Sequence, residues 1–213
     1  MLSVQTLARR VRTRVHDTDQ ITYLDEDILD CINNGVRVIR RLIANIRPAL
    51  LMSEVEGILE AGEKSITLEK RPTKIINVTV GNPAKALHET EMAFVIHNQS
   101  DATGEPTDFY LTGSQTINFY PTPAEQIEYV IRTVDDIEEL TWEDNSPLSN
   151  EFDDFLVEYV SVRLSVGNEY DMTQESQLLA NIVAQIQQIL TPPPVGLQTK
   201  GYWRTYSRVG GYW

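Results

Sequence analysis

The spacing of apolar residues changes twice along this chain, and that change limits the fold more than any other feature. Apolar residues recur every three or four positions in residues 1–47, alternate in short segments in 48–147, and return to helical spacing in 148–190. This order predicts two helices, a group of inserted strands and two further helices. We therefore expect an α+β fold in which an antiparallel bundle of about four helices carries an inserted antiparallel β module and an extended C-terminal arm.

The two N-terminal helices have clear boundary signals. Ser3 is a good N-cap for a first helix that ends near His16-Asp17. The second helix is predicted to begin at Asp25-Glu26-Asp27, because negative charge favours a helix N-terminus, and to end at Arg47-Pro48. Cys31 lies beside the apolar stripe of this helix, so we expect a buried, unreactive thiol.

Short β-branched and aromatic segments between turn residues predict the strands. They are Glu54–Glu60, Ser65–Leu68, Ile75–Val80, Phe109–Leu111, Thr116–Tyr120 and Gln126–Thr133. Residues 61–64 predict a hairpin turn between the first two strands, and residues 112–114 predict another between the fourth and fifth. Residues 84–99 fit a helix or a strand, and both alternatives stay open.

Helical spacing returns after residue 148. One helix runs from Phe152 to near Gly167, and the next runs from Thr173 to Thr191, where Pro192-Pro193-Pro194 removes the backbone donors that a helix needs. Three parts are therefore expected. Residues 1–47 and 148–190 form a helical bundle domain, 48–147 an inserted β-rich module, and 191–213 an extended C-terminal docking arm.

The charge of the chain is unevenly distributed. Residues 1–47 have a net charge of +2, residues 48–190 of −18, and residues 191–213 of +3. The acidic middle keeps the protein soluble or repels phosphate, and in either case it lacks the cations that tight nucleic-acid binding needs. Arg9, Arg10, Arg12 and Arg14 fan over more than one side of the first helix, which favours a solvated face over a DNA-reading one.

The motifs of common enzyme families are missing from the sequence. There is no Walker, dinucleotide-binding, HExxH, GxSxG or CxxC motif. One cysteine and three scattered histidines cannot form a zinc cluster, and no apolar run is long enough for a membrane span. The N-terminus also lacks a signal-peptide pattern, which predicts synthesis in a cytosol. We expect neither an enzyme nor a catalytic residue, cofactor or metal site.

The C-terminal tail is the most specific feature of the sequence. It combines large aromatic rings with arginines and has no apolar period that could build a core: Tyr202, Trp203, Arg204, Tyr206, Arg208, Tyr212 and Trp213. Aromatic and arginine side chains anchor protein interfaces, so we interpret the tail as a docking arm. The tail could instead fold back on the acidic body or stack on nucleic acid.

Two stretches resemble a known family. They are Tyr23–Gly35, with its acidic cluster and Asn-Gly, and Phe109–Pro123 followed by Leu148–Val160. Over about residues 1–190 the chain is similar to the head-to-tail connector, or adaptor, proteins of tailed bacteriophages, of the podovirus tail-accessory type.

The resemblance implies a structural virion protein of the neck or tail. It implies a ring of twelve copies between the portal protein and a downstream tail or nozzle protein, through which DNA passes without specific binding, and no membrane contact. Assembly would take place in the host cytoplasm. The seven tail residues named above would dock on a neighbouring ring, with Pro192, Pro193 and Pro194 as spacer. A tail-completion or neck protein contacting the tail tube or fibres is an alternative, as is a monomeric binding module outside the virion.

Overall fold

In this computed structural model, residues 2–97, 101–166 and 172–191 are described. Within them the α-helices are α1 (Val4–Arg14), α2 (Asp25–Ile46), α3 (Met92–His97), α4 (Asn150–Val166) and α5 (Met172–Leu190), and a short 3-10 helix spans Pro48–Leu50. The four long helices lie where the apolar spacing predicts them. The Ser3 hydroxyl caps α1 as expected, because its Oγ accepts a 3.2 Å hydrogen bond from the backbone N–H of Thr6.

Within the described residues the strands form two four-stranded sheets and one two-stranded pair. They are β1 (Met52–Leu59), β2 (Ser65–Thr67), β3 (Pro72–Val80), β4 (Lys85–Ala86), β5 (His88–Glu89), β6 (Thr103–Gly104), β7 (Asp108–Thr112), β8 (Thr116–Tyr120), β9 (Thr122–Pro123) and β10 (Ile127–Asp135). The first sheet has the order β1-β10-β3-β4, the second β2-β8-β7-β5, and β6 pairs with β9. All long pairs are antiparallel, whereas the two-residue pairs β5–β7 and β6–β9 are parallel, which the sequence pattern did not predict.

One of the two predicted hairpins is confirmed and the other is wrong. β7 and β8 pair directly around Gly113, whose φ of 70° suits a tight turn. The residues 61–64 do make a turn, with Gly62 at φ 82°, but β1 pairs with β10 while β2 pairs with β8. Turn residues specify a reversal of the chain and not the strand that it will pair with, so the error is one of tertiary pairing.

The segment 84–99, which the sequence left open, contains both kinds of structure. β4 and β5 occupy its first part, and α3 covers Met92–His97. Only Val95 of α3 is buried. The helix is therefore a short surface element, too short for a clear helical period.

In the part of the chain that the structure describes, buried apolar residues form two separate clusters. The first joins the four long helices through Val4, Leu7, Val11, Ile28, Ile32, Val36, Ile39, Ile43, Phe152, Leu156, Val160, Ile182, Ile186 and Leu190. The second joins the sheets through Leu59, Leu68, Val78, Val80, Leu87, Phe109, Ile117, Phe119 and Ile131. The helices and the strands thus each bury their own apolar surface, the main source of stability in both parts.

Gly35 allows α2 and α4 to come very close together. A β-carbon at this position would lie 2.6 Å from Leu156 Cδ1 and 3.1 Å from Tyr159 Cδ1. Both neighbours belong to α4 and are buried. The absence of a side chain at Gly35 therefore sets the distance between the two helices.

Candidate interaction surfaces

The predicted docking arm lies beyond the part of the chain that the structure describes. This holds for Tyr202, Trp203, Arg204, Tyr206, Arg208, Tyr212 and Trp213 and for the spacer Pro192, Pro193 and Pro194. The structure does describe the end of α5, where Leu190 is buried and the Thr191 N–H donates a 2.9 Å bond to the carbonyl of Gln187. Thr191, the first residue after α5, therefore lies next to the helical core.

The described residues offer little to catalysis or metal binding. No group of three or more His, Cys, Asp or Glu side chains within the described ranges is arranged to hold a metal ion. Cys31 is half-buried, and burial raises the pKa of its thiol, which makes it a poor nucleophile. Within the same ranges, no helix has the length and apolar character that crossing a membrane requires.

Arg12 is buried at the centre of a network of polar contacts, so the prediction of a solvated face is wrong for this residue. Its guanidinium is paired with the buried carboxylate of Asp17, lies 2.6 Å from Asp25 Oδ1, and donates to the carbonyl of Tyr23 at 3.2 Å. Periodicity along a helix could not show that a later loop would fold over Arg12 and supply these acceptors.

Asp17 fixes the shape of the loop between α1 and α2. Its carboxylate accepts backbone N–H bonds from Ile21 at 2.9 Å and Thr22 at 2.8 Å, and these bonds, led by the one from Thr22, lower the pKa of Asp17. The loop exposes two large apolar side chains, Ile21 at 84% and Leu24 at 69%. A rigid loop that presents apolar residues to solvent is a candidate contact surface.

Two further apolar patches are exposed. β1 lies at the edge of its sheet, where Met52 and Ile58 are exposed. On the surface helix α3, Phe94 and Ile96 are more than half exposed. Edge strands and exposed apolar side chains are common features of protein contacts, so both patches are candidates for contacts in an assembly.

A cavity of about 420 Å³ lies between α2 and the first residues of β3. Its walls contain four arginines, Arg37, Arg40 and Arg41 of α2 with Arg71, beside one carboxylate, Asp136. Arg37 Nη2 lies 2.7 Å from Glu139 Oε1, and Arg40 Nη2 donates to the carbonyl of Asp135 at 3.0 Å. Burial lowers the pKa of Arg40.

Asp153 is a buried carboxylate near the N-terminal end of α4. It is 1% exposed, and neither of its side-chain oxygens has a hydrogen-bond partner of good geometry within the described part of the chain. Burial is the main reason that the pKa of Asp153 is raised. Ser146 and the backbone of Leu2 lie near enough to offset part of this effect of burial on its pKa. The group has no catalytic neighbour, so we interpret it as a structural feature with a cost in stability.

Comparison with known proteins points to one family. The family model described as SU10 adaptor protein matches residues 2–198, which includes both cores and the first residues of the tail. A search of curated proteins found no match.

Proposed function

This chain belongs to the SU10 adaptor protein family, and we propose that several copies of it, twelve by analogy with head-to-tail adaptors, form a ring between the portal and the tail. The family is one of structural phage proteins, so the chain is a virion component that interacts with other phage structural proteins. The family match is the observation that carries the proposal. The ring would continue the DNA channel of the portal in the neck of the virion, after assembly in the host cytoplasm.

The charge of the body supports a role as a DNA conduit. Residues 48–190 have a net charge of −18, and strong DNA binding requires many Lys or Arg contacts to phosphate. An acidic wall would repel the phosphates and let DNA slide past it. DNA would then pass through without specific binding, and the purified protein should not retard duplex DNA in a gel at physiological salt.

The predicted division into a helical bundle and a β module is part of the same proposal. Residues 1–47 and 148–190 would form an antiparallel bundle that packs against neighbouring copies, and residues 48–147 would project from it. Ion pairs between α1 and α4, Arg10–Asp154 at 3.3 Å and Arg14–Glu158 at 3.1 Å, support a bundle that joins the N-terminal helix to the helix that follows the β module. The separate helical and strand cores support two parts, but Leu51, Ile137, Leu140 and Trp142 pack against the helical core although they lie within 48–147.

The C-terminal arm would dock on a neighbouring ring, and the portal is the partner we propose. Residues 191–213 carry three basic and no acidic residues, opposite in sign to the body. Fully extended, 23 residues could reach on the order of 60–70 Å, enough for an adjacent ring. The arm would become ordered only in the complex, so its conformational entropy is lost on docking.

Co-sedimentation with the portal ring encoded in the same genome tests this function. The full-length chain is compared with a chain ending at Leu190, which keeps the buried last residue of α5. We expect the full-length protein to bind and the shortened one to lose most of its affinity. Equal binding by both would contradict a docking arm, and binding by neither would contradict the portal as partner.

Paired variants of the tail distinguish the contribution of its aromatic side chains to portal binding from the contribution of its charge. Replacing Trp203 and Trp213 by Ala should weaken portal binding, whereas replacing both by Phe, which keeps an aromatic ring, should weaken it less. Raising the salt from about 50 to about 500 mM should weaken the electrostatic part of the binding. Unchanged binding across this range would show that the arm's charge plays no part.

Two alternative functions predict different experimental results. A tail-completion or neck protein would bind the tail tube, fibres or nozzle protein in the same assay and leave the portal unbound. A monomeric module outside the virion would be missing from purified particles by mass spectrometry. The family match favours the adaptor over the second of these, because the family is one of structural phage proteins.

A further inference from the structure

The arginine-lined cavity beside α2 carries more positive charge than its surroundings neutralise. Arg37 is paired with Glu139, and the negative charges of Asp135 and Asp136 act on Arg40. Arg41 and Arg71 are exposed, and no carboxylate in the described part of the chain lies within ion-pairing distance of either. The ammonium group of Lys74 adds a fifth cation at the same end of α2, where its Nζ donates to the carbonyl of Ala44 at 3.2 Å. These cations are concentrated in a chain whose net charge is −13.

Such crowding favours an anionic ligand. Guanidinium groups stay protonated in proteins, so they cannot relieve their mutual repulsion by losing a proton. Burial lowers the pKa of Arg40, which shows that this charge is already poorly solvated. An oxyanion placed between Arg41 and Arg71 would accept several charge-assisted hydrogen bonds from planar donors, and bidentate pairs of this kind are strong.

The surroundings favour a carboxylate over nucleic acid. Next to the cavity, and sharing Arg71 and Asp136 with it, is a shallow depression that is lined by Glu69, Glu138, Glu139 and Asp144. A DNA backbone is a continuous row of phosphates, and beyond the arginines it would meet these carboxylates. A short acidic side chain enters the cavity without meeting them.

We propose that this cavity binds one or two carboxylate side chains from an acidic segment of a partner protein. Arg41 and Arg71 would provide the main contacts, and Arg40 would add positive charge from the cavity wall. The chemistry of the cavity does not depend on ring formation or on the C-terminal arm. The site can therefore be tested on the isolated full-length chain, separately from the proposed adaptor function.

The test uses as the probe a synthetic peptide in which two adjacent glutamates are flanked by neutral residues, with titration calorimetry on the full-length protein at low salt. We expect saturable binding with one peptide per chain. Arg41→Gln should weaken it by about tenfold, the loss expected for one charge-assisted contact. Arg71→Gln should act in the same way. The matched control is Arg9→Gln, which removes the same charge from an exposed position on α1 and should leave the affinity within about twofold.

Three results would overturn the proposal. The first is no peptide binding by the unmodified chain. The second is equal weakening by Arg9→Gln and Arg41→Gln, since this would reflect net charge and not the cavity. The third is binding of inorganic phosphate or of duplex DNA at least as tightly as the peptide, which would identify a small-anion or nucleic-acid site. Circular dichroism of each variant confirms that it is folded.

Discussion

Replacing Gly35 by Ala tests the close approach of α2 and α4. In most helices this change is stabilising by about 1 kcal/mol, because alanine has the higher helix propensity. Here the new β-carbon would lie 2.6 Å from Leu156 Cδ1, and Leu156 is fully buried. The structure therefore predicts that a usually favourable substitution becomes unfavourable.

The expected size follows from two opposing terms. Overpacking a well-packed core costs about 1–3 kcal/mol, and helix propensity returns about 1 kcal/mol. The net change should be a loss of about 0–2 kcal/mol in the free energy of unfolding. A larger side chain cannot be accommodated by a small shift of Leu156, so Gly35→Val should cost more than Gly35→Ala.

Urea unfolding followed by circular dichroism measures these differences, provided that the dependence of the free energy of unfolding on urea concentration is the same in each variant. Asn34→Ala is the matched control, because Asn34 is the exposed neighbour on the same helix and its replacement changes propensity without a clash. Leu156→Val removes the methyl group that would clash with the new β-carbon in the Gly35→Ala variant. It should therefore reduce the free energy of unfolding less in that variant than in the original protein. If the Gly35→Ala and Asn34→Ala variants have the same free energy of unfolding, and both values are higher than that of the original protein, then α2 and α4 are not as close as described.

Three further predictions concern buried polar and apolar groups. The pKa of Asp153 is raised in the folded state, so the folded protein loses stability as the pH rises above 3.8, the pKa of this group in the unfolded chain. Asp153→Asn should therefore raise the melting temperature at pH 7. This increase in melting temperature should vanish below about pH 4. The pKa of Asp17 is lowered in the folded state, so its carboxylate stabilises the protein above the unfolded pKa and this stabilisation is lost in acid. Asp17→Asn should therefore reduce the fall in melting temperature between about pH 5 and pH 2. Phe119→Ala should reduce the free energy of unfolding by about 3–5 kcal/mol, because it empties part of the strand core. Leu111→Ala, at a 38% exposed position near the end of β7, should reduce it by less, about 1 kcal/mol; urea unfolding measures both.

The long helices could be predicted closely because their signals are local. The acidic cluster at Asp25 and the proline at Pro48 set the limits of α2 to within a residue or two. The hairpin of β7 and β8 was likewise predictable from adjacent segments and a glycine turn. In each case the residues that decide the structure are neighbours in the chain.

The pairing of distant strands was beyond the sequence. β1 pairs with β10, which follows it by about seventy residues, and the turn after β1 leads to the other sheet. Alternating apolar residues show that a strand has one buried face, but any strand of the same kind could lie beside it. The choice depends on how both sheets bury their faces together.

Of the candidate sites, one could be recognised from the sequence and the others required the tertiary structure. The aromatic and basic tail is visible in the sequence alone, because its composition is unusual and no folding is needed to see it. The buried role of Arg12 and the cavity of Arg37, Arg40, Arg41 and Arg71 depend on loops and strands that arrive from elsewhere. Arg71 lies thirty residues beyond Arg41, and only the approach of the first residues of β3 to α2, where Lys74 donates to the carbonyl of Ala44, brings them to one cavity.

The sequence by itself determined the order of helices and strands, the acidic body and the resemblance to phage adaptors, because periodicity, charge and short motifs are properties of neighbouring residues. The tertiary structure decided which strands pair, how closely α2 approaches α4 at Gly35, and which charges meet. These features depend on packing between distant segments, where a single β-carbon or one folded loop changes which arrangement has the lowest free energy.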